Sequence, residues 1–284
     1  MKRIKFLKTE LVSMTDFLSM IGAYEEISAI SMRKVKKTIL ERREFMQGLN
    51  EAFAYIAYAY RLYRASLKGK ARTNIINTNN KTISILLSSN TGLYGDIIRE
   101  TFELFEADVR KIDTDVAIVG RVGKKYYDLS TLKKPYEYFD MPDTGIDEAM
   151  IKKLLDYVVN YAEVMVYHGV FKSILIQQAT TTAVSGEVMK IEKSLDVSST
   201  RFLFEPSIED VAEHFEKQIA SLILEQTLFE SGLSKFASRM ISLDKAAENI
   251  GMKLHYLDFN LRKSKHRKIN ENIQAGIFGG ILWR

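Results

Sequence analysis

The last third of the chain carries a heptad repeat that continues for six heptads. A strict seven-residue repeat keeps its stripe on a partner helix only if the two helices wind into a left-handed supercoil. No proline follows Pro206, so the pattern predicts one helix from Ile208 to Trp283, roughly 110 Å long. Its members recur at alternating spacings of three and four residues, and only one is polar: Ile219, Leu222, Gln226, Phe229, Leu233, Phe236, Met240, Leu243, Ala247, Ile250, Leu254, Leu257 and Leu261.

The N-terminal segment shows a weaker form of the same repeat. It has no proline before Pro135, and the pattern predicts a helix from about Leu11 to Leu67. One long amphipathic helix cannot bury its stripe alone, and two in one chain bury each other most simply as an antiparallel pair. A pair of ordinary bundle helices is the alternative. The repeat comprises Leu11, Met14, Leu18, Ile21, Glu25, Ser28, Met32, Val35, Ile39, Arg42, Met46, Leu49, Phe53, Ile56, Tyr60 and Tyr63.

Between these helices the pattern changes to short apolar runs that alternate with helical spacing, which is typical of an α/β unit with a mainly parallel sheet. We therefore predict a Rossmann-like α/β insertion between two coiled-coil helices, with domains at residues 1–70, 80–204 and 205–284. Within the insertion, residues 128–144 are predicted to be a loop. The predicted strands are 82–88, 115–120 and 171–177, with 180–191 and 201–204 as further candidates, and the predicted helices are 96–105 and 146–159.

Composition excludes several classes of protein. The chain has no cysteine, so disulfides, cysteine nucleophiles and thiolate metal sites are absent. No run approaches the ~20 apolar residues that span a bilayer, and the N-terminus lacks a signal-type apolar block. The net charge of +5 indicates either a mildly basic surface or an acidic partner, which could be protein or nucleic acid.

No catalytic or cofactor motif emerges. Gly92 and Gly95 follow a predicted strand but lack the G-x-G-x-x-G spacing of a dinucleotide site. The GRVGKK run at 120–125 lacks the spacing and the hydroxyl of a phosphate loop. The four histidines do not cluster, and no nucleophile elbow is present. These motifs predict no catalytic site, no cofactor and no metal, and a small-molecule enzyme built on the α/β unit stays open as an alternative.

Two features follow the end of the C-terminal stripe. The first is a basic cluster, here called the collar: Arg262, Lys263, Lys265, Arg267 and Lys268. The second is an apolar terminus, here called the tip, in which isoleucines recur every four residues: Ile273, Ile277, Phe278, Ile281 and Trp283. They could be a solvated face and a frayed end, or a charged surface and a plug that meet a partner with an apolar socket.

Several motifs, in order along the chain, resemble those of ATP synthase gamma subunits. FEPS at 204–207 followed by EQTLFES at 225–231 resembles the start of that family's C-terminal helix, and ASRM at 237–240 resembles its S-E-x-x-A-R-M run. LLSSNTGLYG at 86–95 is similar to the family's strand and turn ending in D-R-G-L-C-G. VGRVGKKYY at 119–127 and VYHGVFKSILIQQ at 166–178 resemble two further segments. The resemblance identifies the chain as a divergent member.

Four positions depart from the family pattern within these motifs. Asn90 and Thr91 replace the acidic-basic pair of the turn, and Tyr94 replaces its cysteine. Lys235 stands where the family has an acidic residue after serine. The N-terminal helix lacks a clear copy of the family's S-V-x-N-T-x-K-I-T-x-A-M run.

The resemblance implies a non-catalytic rotor shaft of an F-type ATP synthase. The coiled coil would stand inside the hexamer of alpha and beta subunits, and the α/β unit would sit against the epsilon subunit and the c-ring. The collar would face acidic segments of the catalytic subunits, and the tip would turn in an apolar sleeve. We expect a cytoplasmic protein, peripheral to the inner (plasma) membrane and touching it only through the c-ring. The alternatives are the shaft of an F-type-like ATPase uncoupled from proton transport, and a coiled-coil nucleic-acid-binding protein, although aromatic residues for stacking are missing from the basic cluster.

Overall fold

The computed structural model describes residues 2–66, 79, 81–143, 148–184 and 204–281. Along the chain, an α/β unit lies between two long helices. In chain order the elements are α1 (Lys2–Ser66), β1 (Thr82–Leu87), α2 (Ile97–Val109), β2 (Asp115–Val119), α3 (Arg121–Leu129), β3 (Tyr136–Phe139), α4 (Glu148–Val158), β4 (Glu163–Phe171), β5 (Gln177–Ala183) and α5 (Ile208–Ile281).

The chain divides into two compact units, and α1 and α5 contribute to both. The first comprises the first 29 residues and those from Met240 onward. In it Leu7 of α1 packs with Leu257 and Leu261 of α5, and the Glu10 carboxylate lies 3.3 Å from the Lys253 ammonium. As residue numbers increase along α1, the numbers of the residues that they contact on α5 decrease, so the two helices are antiparallel. The helix begins before the predicted Leu11 because Leu7 extends the apolar stripe backward by one turn.

The second unit comprises residues 30–239, and α1 and α5 are antiparallel there as well. Ile39 packs with Phe229 and Leu233, and Ile56 contacts Ile208 and its neighbours near the start of α5. The predicted antiparallel helix pair is therefore confirmed in each unit. The predicted domain boundaries separate the two helices from the α/β unit, whereas each compact unit contains part of both helices. The predicted boundaries therefore stay a prediction.

The α/β unit is built on a five-stranded sheet in the order β3-β2-β1-β4-β5. The first four strands are parallel and β5 is antiparallel to β4. On one face α2 and α3 bury Phe105 and Tyr127 against Ile118. On the other face α4 and α5 bury Leu154 and Leu224 against β1. Since both faces are covered, the central strands β1 and β2 read as nearly continuous apolar runs.

Two sequence predictions about this unit were wrong. Residues 171–177 were predicted as a strand, but β4 ends at Phe171 and β5 begins at Gln177, with a turn between them that exposes Ile174, Leu175 and Ile176. Residues 128–144 were predicted as a loop, but they contain the last turn of α3 and the short strand β3, which pairs with β2. Of the further strand candidates, β5 covers 180–183, whereas 185–203 lie outside the described residues.

His168 of β4 is a buried, neutral side chain. Its Nδ1 lies 3.2 Å from the Gly169 carbonyl oxygen and its Nε2 lies 2.9 Å from the Thr182 hydroxyl. Both contacts suit a ring that donates through Nδ1 and accepts at Nε2. Burial lowers the pKa of His168 below its ordinary value, and the Gly169 carbonyl and the Glu230 carboxylate of α5 oppose this only in part.

We therefore expect His168 to make the fold less stable in mild acid. The unfolded chain takes up a proton at the ordinary histidine pKa near 6.5, whereas the folded chain takes it up only at a lower pH. Between these pKa values the unfolded state binds more protons, so the free energy of unfolding falls as pH falls, by at most about 1.4 kcal/mol per pH unit. Urea unfolding from pH 8 to pH 5 should show this slope, and His168→Gln should reduce it. If the free energy of unfolding of His168→Gln fell with pH as steeply as that of the unaltered chain, a group other than His168 would cause the loss of stability in acid.

Within the described residues, none of the helices is both long enough and apolar enough to cross a bilayer.

Candidate functional site

The second unit contains a polar joint where α5 meets the carboxyl end of the sheet. The loop that follows β1 turns sharply, and both Leu93 and Gly95 adopt positive φ, at 69° and 61°. Basic residues of α5, one turn apart and so on one face of the helix, reach this loop. The joint consists of Ser88, Asn90, Thr91, Gly92, Tyr94, Asp143, Lys235 and Arg239.

Arg239 is the centre of the joint, and only 6% of it is exposed. Its Nη2 donates to the Thr91 hydroxyl at 3.0 Å and to the Gly92 carbonyl at 2.8 Å. Its guanidinium lies 3.8 Å from the centre of the Tyr94 ring, which is cation–π distance. The same ring meets Phe236 edge-on, with 6.2 Å between ring centres. A buried arginine thus fixes the loop to α5 by hydrogen bonds and by stacking.

Asp143 holds the loop from the opposite side. Its carboxylate accepts hydrogen bonds from the backbone N–H groups of Asn90 and Thr91, both at 2.8 Å, and from the Thr91 hydroxyl at 2.6 Å. The Thr91 hydroxyl therefore accepts from Arg239 and donates to Asp143, which links the cation to the anion. Burial, together with the Asp143 charge, raises the pKa of Tyr94 to about 12. Tyr94 is therefore neutral at physiological pH.

Lys235 makes the second attachment of α5 to the sheet. Its ammonium donates to the Ser88 carbonyl at 2.9 Å, immediately after β1 ends. Burial lowers the pKa of Lys235; the Asp143 carboxylate opposes this shift, and the Arg239 charge reinforces it. In the described part of the chain, that carbonyl is the only acceptor recorded for this ammonium.

The backbones of α5 and β4 also approach closely in this unit. A Cβ atom on Gly169 would lie 2.6 Å from the Ser234 Oγ of α5 and 2.8 Å from the Ile97 Cγ1 of α2. Only glycine lets the three elements meet at this distance. In the turn after β2, Gly120 has a φ of 97°, and a Cβ there would lie 2.8 Å from backbone atoms of Ser89.

The contacts of the joint are structural, because they hold α5 against the end of β1 and the loop that follows it. Within the described ranges, no group of three or more His, Asp or Glu side chains could hold a metal ion. The carboxylate of the joint is occupied by three donors, so it is a poor general base. The joint can attach the long helix to the sheet.

On α5 in the first unit, four of the five collar residues are exposed and Lys268 is half-buried. Arg262 and Arg267 pair with carboxylates of their own helix, Asp258 at 2.7 Å and Glu271 at 3.1 Å. The lysines of the collar have no ion pair with any described residue: Lys263, Lys265 and Lys268. These three charges are therefore available to a partner.

The tip is the last part of α5, after the point at which Leu257 and Leu261 pack with Leu7 of α1. Ile273 and Ile277 are 54% and 59% exposed. Trp283 and the side chains of Phe278 and Ile281 lie outside what the structure describes. The exposed isoleucines agree with an apolar end that a partner would cover.

Comparison with known proteins decides the family. A family model described as ATP synthase matches residues 3–281. The ATP synthase gamma chain of Mesoplasma florum is 23% identical over 290 residues, which cover 98% of each chain. That of Clostridium kluyveri is 25% identical over 289 residues, covering 96% of this chain and 95% of the relative.

The chain belongs to the ATP synthase gamma family. Gamma chains are non-catalytic stalk subunits of the ATP synthase complex, so the prediction that this chain is not an enzyme is confirmed. A chain of the Euglena gracilis mitochondrial ATP synthase (OSCP/F1/c-ring, rotational state 3) matches the fold with a TM-score of 0.67 and 13% identity, covering 97% of this chain and 93% of that one. A chain of the Tetrahymena thermophila central stalk and c-ring matches with a TM-score of 0.54 and 15% identity, covering 80% of this chain and 99% of that one.

Side chains at three of the four departures from the gamma motifs meet in the joint. The Thr91 hydroxyl links Arg239 to Asp143, whereas the Asn90 side chain donates to the Met141 carbonyl and accepts from the Arg121 backbone N–H. Tyr94 stacks under Arg239, and Lys235 donates to the strand end. Substitutions that are separate in the sequence thus form one polar network in this gamma chain.

Proposed function

We propose that this chain transmits torque between a c-ring and the hexamer of alpha and beta subunits in an F-type ATP synthase. The chain is a central-stalk rotor subunit of such a complex by its family. The observation that supports the proposal most is the antiparallel pairing of α1 and α5, which recurs in both compact units. Two helices packed along a heptad seam resist twisting better than one. A rotating asymmetric shaft would press on each catalytic subunit in turn and shift its population among states of different nucleotide affinity.

The collar is proposed to face acidic segments of the catalytic subunits. Exposed charges at the rim of an interface steer and orient partners more than they add affinity. The tip, with Ile273 and Ile277 exposed, is proposed to turn in an apolar sleeve within the hexamer.

The α/β unit is proposed to meet the epsilon subunit and the c-ring. Its turn between β4 and β5 exposes three consecutive apolar residues, with Leu175 80% exposed, and such a patch on a soluble surface suits a protein contact. As part of the membrane-associated complex, the chain is proposed to lie on the cytoplasmic side of the inner membrane and to reach it only through the c-ring. Nucleic acid is not a proposed partner.

We expect the unpaired collar lysines to matter for coupling. Replacing Lys263, Lys265 and Lys268 by glutamine should lower ATP-driven ion pumping per ATP hydrolysed by roughly three- to tenfold, because these charges orient the shaft against the hexamer. Assembly should persist, since the helix seam is untouched. Affinity purification with mass spectrometry checks assembly, and vesicle pumping assays check coupling.

The matched control changes the same net charge elsewhere. Lys111, Lys125 and Lys133 are exposed lysines of the α/β unit, and their triple glutamine variant should pump normally. If the collar variant pumped as many ions per ATP hydrolysed as the unaltered complex, the collar would have no role in coupling.

A further inference from the structure

The second unit contains a cavity of about 720 Å³ that no part of the proposed rotor function uses. It lies at the carboxyl ends of β1 and β2, beside α4, and residues of α1 and α5 also line it. The carboxyl ends of parallel strands are the usual place for ligands in open α/β sheets. Its volume is within the range of small-molecule sites.

The walls of the cavity are largely apolar. Strand residues, helix α4 and α5 all contribute to this lining, which would accept a hydrocarbon body of medium length. The apolar residues that face it from these elements are Leu87, Val119, Ile151, Leu155, Phe229 and Phe236.

The polar part of the lining carries unused hydrogen-bonding capacity. The Lys235 ammonium has three N–H groups, but among the described residues its only recorded acceptor is the Ser88 carbonyl. The Ser231 hydroxyl, one turn away, is buried with no hydrogen-bond partner in the described part of the chain. A buried ammonium that is satisfied by one neutral acceptor is costly unless an anion joins it.

The charges around the cavity favour an anion with one negative charge. Lys34 and Lys152 join Lys235 on the lining, against Asp143 and Glu225. Asp143 already accepts three hydrogen bonds from the loop after β1. Its fixed negative charge would repel a dianion such as a phosphate monoester more strongly than a monoanion.

We propose that this cavity binds a small amphipathic monocarboxylate, with Lys235 as its counter-ion, Ser231 as a hydrogen-bond donor and the apolar walls around its hydrocarbon body. A ligand here would touch α4, α5, α1 and the strand ends at once, and so would stiffen the attachment of α5 to the sheet. The inference goes beyond the rotor function and does not depend on it.

Decanoate is the probe for this site, because it joins one carboxylate to an apolar body. Isothermal titration of the purified full chain below the micelle concentration should show saturable binding of one decanoate per chain. Decan-1-ol, with the same body and no charge, should bind at least tenfold more weakly. Decyl phosphate should also bind more weakly at a pH where it is a dianion. No saturable binding of decanoate up to about 1 mM, or equal binding of the alcohol, would overturn the proposal.

Two variants test the site from different sides. Lys235→Met keeps the length of the side chain and should weaken decanoate binding at least tenfold, whereas Lys217→Met, an exposed lysine of the same helix, should not. Gly232 lines the cavity, and a Cβ atom added to it would lie more than 4 Å from any atom outside its own turns of α5. Gly232→Leu should therefore fill the space, raise the melting temperature and abolish binding.

Gly251→Leu is the control for the second variant, because Gly251 also sits on α5 with open space around it but does not line the cavity. It should bind decanoate like the unaltered chain. Since Gly232→Leu leaves Lys235 in place and should stabilise the helix, unchanged binding in this variant would refute the site even if Lys235→Met failed to fold.

Discussion

Replacing Gly169 by alanine is expected to destabilise the chain by about 3 kcal/mol, at the upper end of the usual cost of overpacking. The new methyl group would lie 2.6 Å from the Ser234 Oγ and 2.8 Å from the Ile97 Cγ1. Both atoms belong to buried residues on different helices, so relieving one contact does not relieve the other. Urea unfolding followed by circular dichroism measures the change in the free energy of unfolding.

A second substitution separates this clash from a general intolerance of alanine. Ser234→Ala removes the nearer atom, so Gly169→Ala combined with Ser234→Ala should recover part of the loss while the Ile97 contact remains. Gly251→Ala is the control, because open space surrounds Gly251; it should be neutral or stabilising by up to about 1 kcal/mol. A Gly169→Ala chain as stable as the unaltered one would mean that α5 does not approach β4 as described.

Replacing Arg239 by methionine is expected to cost about 3 kcal/mol of stability. The variant keeps the apolar stem but loses the hydrogen bonds to the Thr91 hydroxyl and the Gly92 carbonyl, and the stacking on Tyr94. Hydrogen bonds from a charged donor contribute roughly 1.5–3 kcal/mol each, and a desolvated cation–π contact adds about 2 kcal/mol. Part of this is offset because a buried charge is also removed. Thermal and urea unfolding measure the difference.

The conservative variant tests the geometry of the same contact. Arg239→Lys keeps the charge but lacks the planar fork that reaches two acceptors and lies flat on an aromatic ring, so it should recover less than half of the loss. Arg262→Met, an exposed arginine of the same helix, should change stability by less than about 1 kcal/mol. If Arg239→Met proved as stable as Arg262→Met, the joint would not attach α5 to the loop.

The coiled coil and most of the sheet could be predicted from the sequence because hydrophobic periodicity is a local signal. The stripe from Ile219 to Leu261 has one partner helix in either unit, and the runs at 82–88 and 115–120 are buried on both faces. The turn from 172 to 176 misled the same reasoning, since an apolar run that is exposed in a turn has the same sequence pattern as one that is buried in a sheet. The strand β3 was missed because Pro135 precedes it and the strand has only four residues.

The joint could not be predicted because its parts are far apart in the sequence. Thr91, Asp143 and Arg239 belong to three segments, separated by 52 and 148 residues from Thr91, and no spacing rule links them. Lys235 and Arg239 looked like ordinary cations beside an apolar stripe. The departures at Thr91, Tyr94 and Lys235 were visible one by one in the sequence, but only the fold shows that these three side chains meet at the end of β1. The collar and the tip were found from the sequence, and their proposed contacts stay a prediction.

Rotation of the chain inside an assembled complex is the decisive observation for a rotor function. Because the chain contains no cysteine, a single Leu129→Cys substitution at the exposed end of α3 gives a unique labelling site on it for a bead. With the hexamer immobilised through tagged beta subunits, we expect added ATP to drive rotation of the bead in one direction. ATP hydrolysis by the immobilised complex with the chain bound and the bead motionless would be incompatible with a shaft that carries torque.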